Sequence, residues 1–220
     1  MMGRRRSGNC LAGVDIYGIT AEEYSLGRSS IEVVALMIAS GIKVIQYREK
    51  DKSLREKYLD CIKIREMTAQ AGVAFIVNDH VDLALLVEAD GVHIGQDDLP
   101  PERVRELVGG RMAIGLSTHS PVQAEEAVRS GAVDYIGVGP IFATSTKKDV
   151  CRPVGLEYLD YVIKNINLPF VAIGGIKENN IGEVSCRGAN CIALVTEIVG
   201  AEDIPGRVKD LRSALGKKEG

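Results

Sequence analysis

The chain has 220 residues, of which 45% are hydrophobic and 26% are charged, and its 27 Lys and Arg against 30 Asp and Glu leave a net charge of −3. These values are typical of a globular protein and exclude a disordered or fibrous chain and a strongly basic nucleic-acid binder. The absence of tryptophan predicts an aliphatic core. The 24 glycines indicate many backbone positions that other residues would not adopt easily.

Short runs rich in β-branched residues alternate with longer amphipathic runs along the chain, which predicts strands and helices in strict alternation. The eight predicted strands are Val14–Ile19, Val44–Arg48, Ala74–Asn78, Gly91–Ile94, Ala113–Ser117, Tyr135–Val138, Pro169–Ile173 and Cys191–Val195. The eight predicted helices are Ile31–Ser40, Ser53–Ala71, Asp79–Glu88, Pro101–Val108, Pro121–Ser130, Leu156–Asn165, Ile181–Arg187 and Ile204–Leu215.

The ends of these helices carry recognisable capping residues. Ser120 followed by Pro121 is typical of an N-cap and the first helical position. Several helices are followed by a glycine, at the position where the chain often turns into the left-handed conformation. These glycines are Gly41, Gly72, Gly109, Gly131 and Gly188.

Strands that alternate with helices predict a parallel sheet covered by helices. Eight such units in a chain of this length favour an α/β fold of the (β/α)8 TIM-barrel type, as a single domain over residues 1–220. A doubly wound open sheet is the alternative, but no Gly-X-Gly-X-X-Gly motif follows the first strand. In a barrel we expect the functional residues at the C-terminal ends of the strands.

The second predicted strand ends in a charged segment. Side chains alternate along a strand, so Gln46, Arg48 and Lys50 share one face, and Tyr47 and Glu49 share the other. Two cations at the mouth of a barrel suit an anion such as phosphate or diphosphate. A solvated strand end with salt bridges is the alternative interpretation.

Carboxylates follow the third and fourth predicted strands. Asp79 comes directly after Asn78, the last residue of the third strand, and Asp98 lies in the loop after the fourth strand. Because neighbouring strands are about 4.8 Å apart, the two carboxylates could share one divalent ion, and oxygen ligands favour magnesium. Each aspartate could instead cap a helix. We expect nearby His93 to be a packing histidine.

Hydroxyl groups and glycines follow the remaining strands. Ser117 could contact a substrate or cap the next helix. The long loop at residues 139–155 contains Thr144, Ser145, Thr146 and Lys147, which suit phosphate binding, although a flexible polar loop has the same composition. A phosphate site is common after strands seven and eight of a barrel. Here those positions are Gly174, Gly175, Val195 and Thr196.

The residues alone therefore predict a barrel that binds two anionic groups. The sequence pattern contains no nucleophile–base pair, histidine metal cluster or obvious Schiff-base lysine. The five cysteines are odd in number and form no Cys-X-X-Cys pair, so we expect free thiols. With no signal-like or membrane-spanning run, we expect a cytoplasmic protein without a membrane partner, with mobile ends at residues 1–12 and 217–220.

Several segments, taken together and in order between about residues 14 and 215, resemble the thiamine phosphate synthase family. They are Gln46–Lys50, Asn78-Asp79, Gly91–Asp98, Ser117–His119, Gly139–Phe142, Thr144–Lys148 and Ile173–Ile176. The resemblance implies transfer from 4-amino-2-methyl-5-hydroxymethylpyrimidine diphosphate, the donor, to the ring nitrogen of 4-methyl-5-(2-hydroxyethyl)thiazole phosphate, the acceptor. It implies thiamine phosphate and pyrophosphate as products and Mg²⁺ as cofactor.

The resemblance also implies roles for individual residues. The donor and its diphosphate would be held by Gln46, Arg48, Lys50, Asn78, Ser117 and Lys147, with Tyr47 and Glu49 in the same binding segment. Magnesium would be held by Asp79 and Asp98. The acceptor phosphate would be held by Thr144, Ser145, Thr146, Gly174 or Gly175, Val195 and Thr196. The catalytic residues would be Arg48, Lys50, Ser117 and Lys147.

A dissociative route is our hypothesis for this reaction, because metal and cations stabilise the departing diphosphate. Two alternatives on the same barrel are a thiazole tautomerase-like isomerase and a non-catalytic phosphate-binding regulator. The isomerase would not need the diphosphate cations. The argument against it is the presence together of Arg48, Lys50, Asp79, Asp98 and Lys147. We expect small-molecule substrates and no nucleic-acid partner, and a homo-oligomer is left open.

Overall fold

The computed structural model describes residues 10–144 and 152–216 and contains a closed barrel of eight parallel strands. Each strand pairs with its neighbours in the chain, and the first strand pairs with the eighth. The predicted (β/α)8 TIM barrel is confirmed. The strands are β1 (Ile16–Ile19), β2 (Val44–Tyr47), β3 (Ala74–Asn78), β4 (Gly91–Ile94), β5 (Ala113–Thr118), β6 (Tyr135–Val138), β7 (Phe170–Ala172) and β8 (Ile192–Leu194).

The helices pack around this barrel in the predicted order, with one short addition after β8. One 3-10 turn, at Glu22–Tyr24, follows β1, and another, at Gly109–Arg111, precedes β5. The helices are α1 (Ser30–Ala39), α2 (Leu54–Ala71), α3 (Val81–Leu86), α4 (Pro101–Val108), α5 (Pro121–Ser130), α6 (Gly155–Asn165), α7 (Ile181–Cys186), α8 (Thr196–Val199) and α9 (Ile204–Leu215).

Side chains cap several of these helices as their sequences predict. Ser120 caps α5 by accepting a hydrogen bond from the Gln123 backbone, with Pro121 at the first helical position. Ser53 and Glu56 form a reciprocal capping box at the start of α2. The predicted glycines at helix ends all have a positive φ, which confirms the prediction: Gly41, Gly72, Gly109, Gly131 and Gly188.

The helix-cap interpretation of the two aspartates is wrong. Helix α3 begins at Val81 rather than Asp79, with His80 at the N-cap position, so Asp79 lies outside the helix. Helix α4 begins at Pro101 without a side-chain cap, and the Asp98 carboxylate accepts a hydrogen bond from the Gly95 backbone within its own loop. Both carboxylates are therefore available to the mouth of the barrel.

Apolar packing occurs on both sides of the sheet. The larger cluster lies between the strands and helices, and a smaller one fills the barrel interior. The interior cluster contains Val44, Ile76 and Val171, but also the rings of Tyr17 and Tyr135. The predicted aliphatic interior is therefore only partly correct, because aromatic rings carrying hydroxyl groups occupy its centre.

Other sequence predictions concern the cysteines, the ends and the membrane. Cys10, Cys61 and Cys191 are free thiols, as predicted, and Cys151 lies outside the described ranges. Cys10 and Leu11, within the predicted mobile end, pack against the interior cluster. Across residues 10–144 and 152–216, we find no helix that combines the length and apolar character needed to span a bilayer.

Candidate active site

The alternation of side chains along β2 directs its polar residues to two different environments. Gln46 points into the barrel, where its side-chain amide donates to the Tyr17 hydroxyl over 2.9 Å. Tyr47 points outward, and its hydroxyl donates to Asp60 of α2 over 2.9 Å. Arg48 follows the strand, where its backbone N–H donates to Thr20. The period-two prediction for this segment is confirmed for Gln46 and Tyr47.

A cavity of about 220 Å³ opens where β2 and β3 end. Its wall includes the expected donor-binding residues Arg48, Lys50 and Asn78. Glu49 also borders it, but its two carboxylate oxygens accept hydrogen bonds from the Glu22 backbone and the Ser30 hydroxyl. The cavity therefore brings cations together, whereas the Glu49 carboxylate joins β2 to the start of α1.

Asp79 lines this cavity and Asp98 lies next to Asp79, as their places after neighbouring strands predict. A hydrogen bond joins their carboxyl groups. Burial and the neighbouring Asp98 together raise the pKa of Asp79 to about 6, although the Lys50 and Arg48 charges oppose the rise. Asp79 also has a φ of 60°, which is uncommon for a residue other than glycine.

The chemistry of this aspartate pair fits a divalent cation. Two adjacent carboxylates repel each other, and a bound cation would relieve that repulsion. The described part of the chain holds no cluster of three or more His, Cys, Asp or Glu side chains suited to a metal. Magnesium is often held by one or two carboxylates, with phosphate oxygens and water completing its shell. The pair fits that pattern.

A hydrogen-bonded network crosses the barrel interior from Gln46 to Ser117. The Tyr17 and Tyr135 hydroxyls lie 3.0 Å apart. The Tyr135 hydroxyl lies 3.2 Å from Nδ1 of His93, whose Nε2 lies 3.0 Å from the Ser117 hydroxyl. Two of the predicted donor-binding residues, Gln46 and Ser117, are thus connected through three side chains that had no assigned role in binding. The expectation that His93 is a packing histidine with satisfied nitrogens is confirmed.

Glycine on β5 makes room for this network. Gly115 lies opposite His93 of β4 and opposite Tyr135 of β6. A Cβ at Gly115 would lie 2.2 Å from the Tyr135 ring and 2.4 Å from the His93 ring. The sequence signal was a glycine at an inward-facing strand position, but its meaning depends on which residues lie opposite.

The opposite half of the mouth consists largely of backbone. Gly174 and Gly175 have φ values of 96° and 65° after β7. The loop after β6 lies directly against them, since a Cβ on Gly174 would lie 2.4 Å from Pro140, and Phe142 donates its N–H to the Gly174 carbonyl. The two glycines are thus required by close backbone packing, whatever else they bind.

The other predicted acceptor residues have varied positions. Val195 follows β8, and Thr196 is the first residue of α8. Thr144 is the last described residue before the gap in the long loop. Three predicted residues lie outside the described ranges: Ser145, Thr146 and Lys147.

Lys57 and His80 also line the cavity and were not predicted as site residues. The Lys57 ammonium lies 3.1 Å from Nε2 of His80. Burial lowers the pKa of His80, and the Lys57 charge lowers it further, which favours a neutral ring that accepts a hydrogen bond from the lysine ammonium. The available sequence signal for Lys57 was its helical spacing from the apolar positions of α2. That spacing predicts the buried face of the helix but not the residues that the lysine contacts.

Comparison with known proteins agrees with the fold and identifies the family. The family model described as thiamine monophosphate synthase matches residues 16–198. A thiamine-phosphate synthase of Pelotomaculum thermopropionicum is 73% identical over 218 residues, covering 99% of this chain and 100% of that protein. One from Lawsonia intracellularis is 57% identical over 201 residues, covering 91% and 92% respectively. The solved thiamine phosphate pyrophosphorylase of Pyrococcus furiosus has a TM-score of 0.83 and 34% identity, covering 92% of this chain and 96% of that one.

Proposed function

This chain belongs to the thiamine monophosphate synthase family and is a transferase, and we propose that it couples a pyrimidine diphosphate to a thiazole phosphate with the help of Mg²⁺. The donor is 4-amino-2-methyl-5-hydroxymethylpyrimidine diphosphate. The acceptor is 4-methyl-5-(2-hydroxyethyl)thiazole phosphate. The products are thiamine phosphate and pyrophosphate, and the reaction takes place in the cytoplasm between small molecules.

The observation that carries this proposal is that Arg48, Lys50 and Asp79 line one cavity, with the Asp98 carboxyl group next to Asp79. Arg48 and Lys50 are placed to bind the diphosphate oxygens, and Asp79 and Asp98 would hold Mg²⁺. Bound Mg²⁺ supplies Lewis-acid stabilisation of charge on the diphosphate. Neither the isomerase nor the phosphate-binding regulator would need this combination of charges.

The barrel interior orients the pyrimidine of the donor. Gln46, Asn78 and Ser117 present hydrogen-bonding groups to its ring. Gln46 and Ser117 are each held by the network through Tyr17, Tyr135 and His93, so their side chains are oriented before the substrate arrives. Such pre-orientation lowers the entropic cost of binding.

The acceptor phosphate binds on the other side of the mouth. Backbone N–H groups are suited to a phosphate because their positions are fixed. Lys147 lies outside the described residues, and its assignment to the donor diphosphate rests on the family resemblance. The acceptor-binding residues are Thr144, Ser145, Thr146, Gly174, Gly175, Val195 and Thr196.

We favour a dissociative order of bond changes. The bond between the pyrimidine methylene carbon and the diphosphate oxygen breaks, and its electron pair leaves with the diphosphate. The electron-rich aminopyrimidine stabilises the remaining cation until the thiazole nitrogen donates its lone pair to that carbon. Arg48, Lys50 and Lys147 stabilise the charge of the leaving group, and Ser117 contacts the pyrimidine. Tyr47 and Glu49, predicted as donor contacts, support the segment that carries Arg48 and Lys50.

The test is release of pyrophosphate and formation of thiamine phosphate by the purified protein. Both products should appear only when donor, acceptor and Mg²⁺ are present, and EDTA should abolish both reversibly. Absence of both products under every condition would refute the synthase proposal. Rearrangement of the thiazole without donor would support the isomerase, and phosphate binding without turnover would support the regulator.

A further inference from the structure

Helix α2 carries a lysine on the face that packs against the barrel. The buried positions of this helix are Lys57, Cys61, Ile64 and Thr68, which follow helical spacing. Lys57 is only 8% exposed. A charged side chain is rarely buried to this extent unless it has a partner, so its place in this apolar stripe requires a physical explanation.

The neighbourhood of Lys57 lacks a fixed negative partner. Its ammonium lies 3.1 Å from Nε2 of His80, and the residue lines the cavity shared by Arg48, Lys50 and Asp79. Within residues 10–144 and 152–216, no carboxylate forms an ion pair with it. A buried charge without a counterion is costly, and this one lies beside two other cations.

Lys52, only five residues earlier, provides a contrast on the same side of the barrel. Its ammonium pairs with Glu22 and, over 2.7 Å, with Asp60. Those carboxylates satisfy the charge of Lys52 inside the protein. Lys57 has two further N–H donors, a cavity in front of it and no ion pair among the described residues, so an anion that enters the cavity can serve as its counterion.

We propose that Lys57 binds the diphosphate group of the donor and the pyrophosphate product, as an additional cation that α2 contributes. This inference rests on the proposed function, because it takes the diphosphate as the anion in the cavity. Lys57 donates to a phosphate oxygen while His80 holds its ammonium in place. In the reaction it shares with Arg48 and Lys50 the charge that builds up on the leaving group.

The test compares Lys57→Met and Lys57→Arg with Lys63→Met, which removes an exposed charge from the same helix. Titration calorimetry measures binding of inorganic pyrophosphate with Mg²⁺, and steady-state assays measure the KM for donor and acceptor. Lys57→Met should weaken pyrophosphate binding about tenfold or more and raise the donor KM. Lys57→Arg should restore most of the loss, and the acceptor KM should stay within about twofold.

Thermal melting separates binding from a purely structural role. Because Met removes an uncompensated buried charge, Lys57→Met should melt at or above the wild-type temperature without anions. It should also show a smaller rise in Tm when pyrophosphate is added. A lower Tm without anions, together with an unchanged pyrophosphate affinity, would overturn the proposal. If Lys57→Met fails to fold, Lys57→Gln carries the same comparison.

The outcomes for Lys57 and for the proposed function are distinguishable. Wild-type synthase activity with unchanged pyrophosphate binding in Lys57→Met would overturn the role of Lys57 and leave the synthase intact. Absence of synthase activity in the wild type would overturn the proposed function and with it the donor role of Lys57. Equal weakening by Lys63→Met would also overturn the proposal, because only general charge would then matter.

Discussion

The two halves of the barrel mouth are built from different parts of the chain. The half after β2–β5 consists of long side chains, with Arg48 and Lys50 facing Asp79 and Asp98. The half after β6–β8 consists of backbone, with Gly174 and Gly175 packed against the preceding loop. In the first half, carboxylates that lie close together repel each other. In the second half, close packing restricts the backbone conformation. Substitutions in the first half should accordingly lower mainly the activity, and substitutions in the second half should lower mainly the stability of the fold.

The largest effect is expected from Asp79→Asn, which removes one charge from the aspartate pair. Turnover at saturating substrates should fall by about 100-fold or more, because the proposed Mg²⁺ site loses a ligand. The Tm in EDTA should stay the same or rise, since asparagine accepts the positive φ of this position and the repulsion with Asp98 disappears. Steady-state kinetics and thermal melting test both parts. Activity within a few-fold of wild type would contradict the metal assignment.

Gly174→Ala probes the backbone half and should act first on stability. The added methyl group would lie 2.4 Å from Pro140, at a φ of 96°. We expect a loss of about 1–3 kcal/mol in the free energy of unfolding and a raised acceptor KM. Denaturant unfolding measures the first and initial rates the second. Gly110→Ala is the control, since no atom lies within 4 Å of its added Cβ. Equal stability of the two variants would contradict the close-packing argument.

Tyr135→Phe tests the interior network, which belongs to the side-chain half. The change leaves the Tyr17 hydroxyl and Nδ1 of His93 each without one contact. The free energy of unfolding should fall by about 1–2 kcal/mol, and the donor KM should rise more than the acceptor KM. Tyr161→Phe removes an exposed hydroxyl bonded to Glu125 and serves as the control. Equal changes in the two KM values would show that the network does not orient the donor site.

The smallest effect is expected from Glu49→Gln. Its carboxylate accepts from the Glu22 backbone and the Ser30 hydroxyl, and an amide can replace only part of this pairing. Stability should fall by less than about 1 kcal/mol, and the donor KM should change by less than about twofold. Unfolding curves and kinetics decide between this expectation and the direct substrate contact that the sequence predicts. A donor KM raised severalfold would support the direct contact.

Local patterns were sufficient to predict the strands and the end of the barrel that carries the site. The period-two alternation of β2 separated Gln46 from Tyr47 correctly, because side-chain direction along a strand depends only on position in that strand. The order of β3 and β4 likewise brought Asp79 and Asp98 together. The start of α3 was predicted two residues early, because the left-handed backbone at Asp79 leaves no local sequence signal.

What the sequence determined by itself was the alternation of strands and helices, the capping residues and the strand ends where polar residues collect. Each of these depends on residues close together in the chain. Only the tertiary structure decided that Tyr17, Tyr135 and His93 form one network, that Gly115 makes room for it and that Lys57 lines the cavity at the ends of β2 and β3. The physical reason is that barrel closure and strand register bring together positions more than a hundred residues apart, such as Tyr17 and Tyr135.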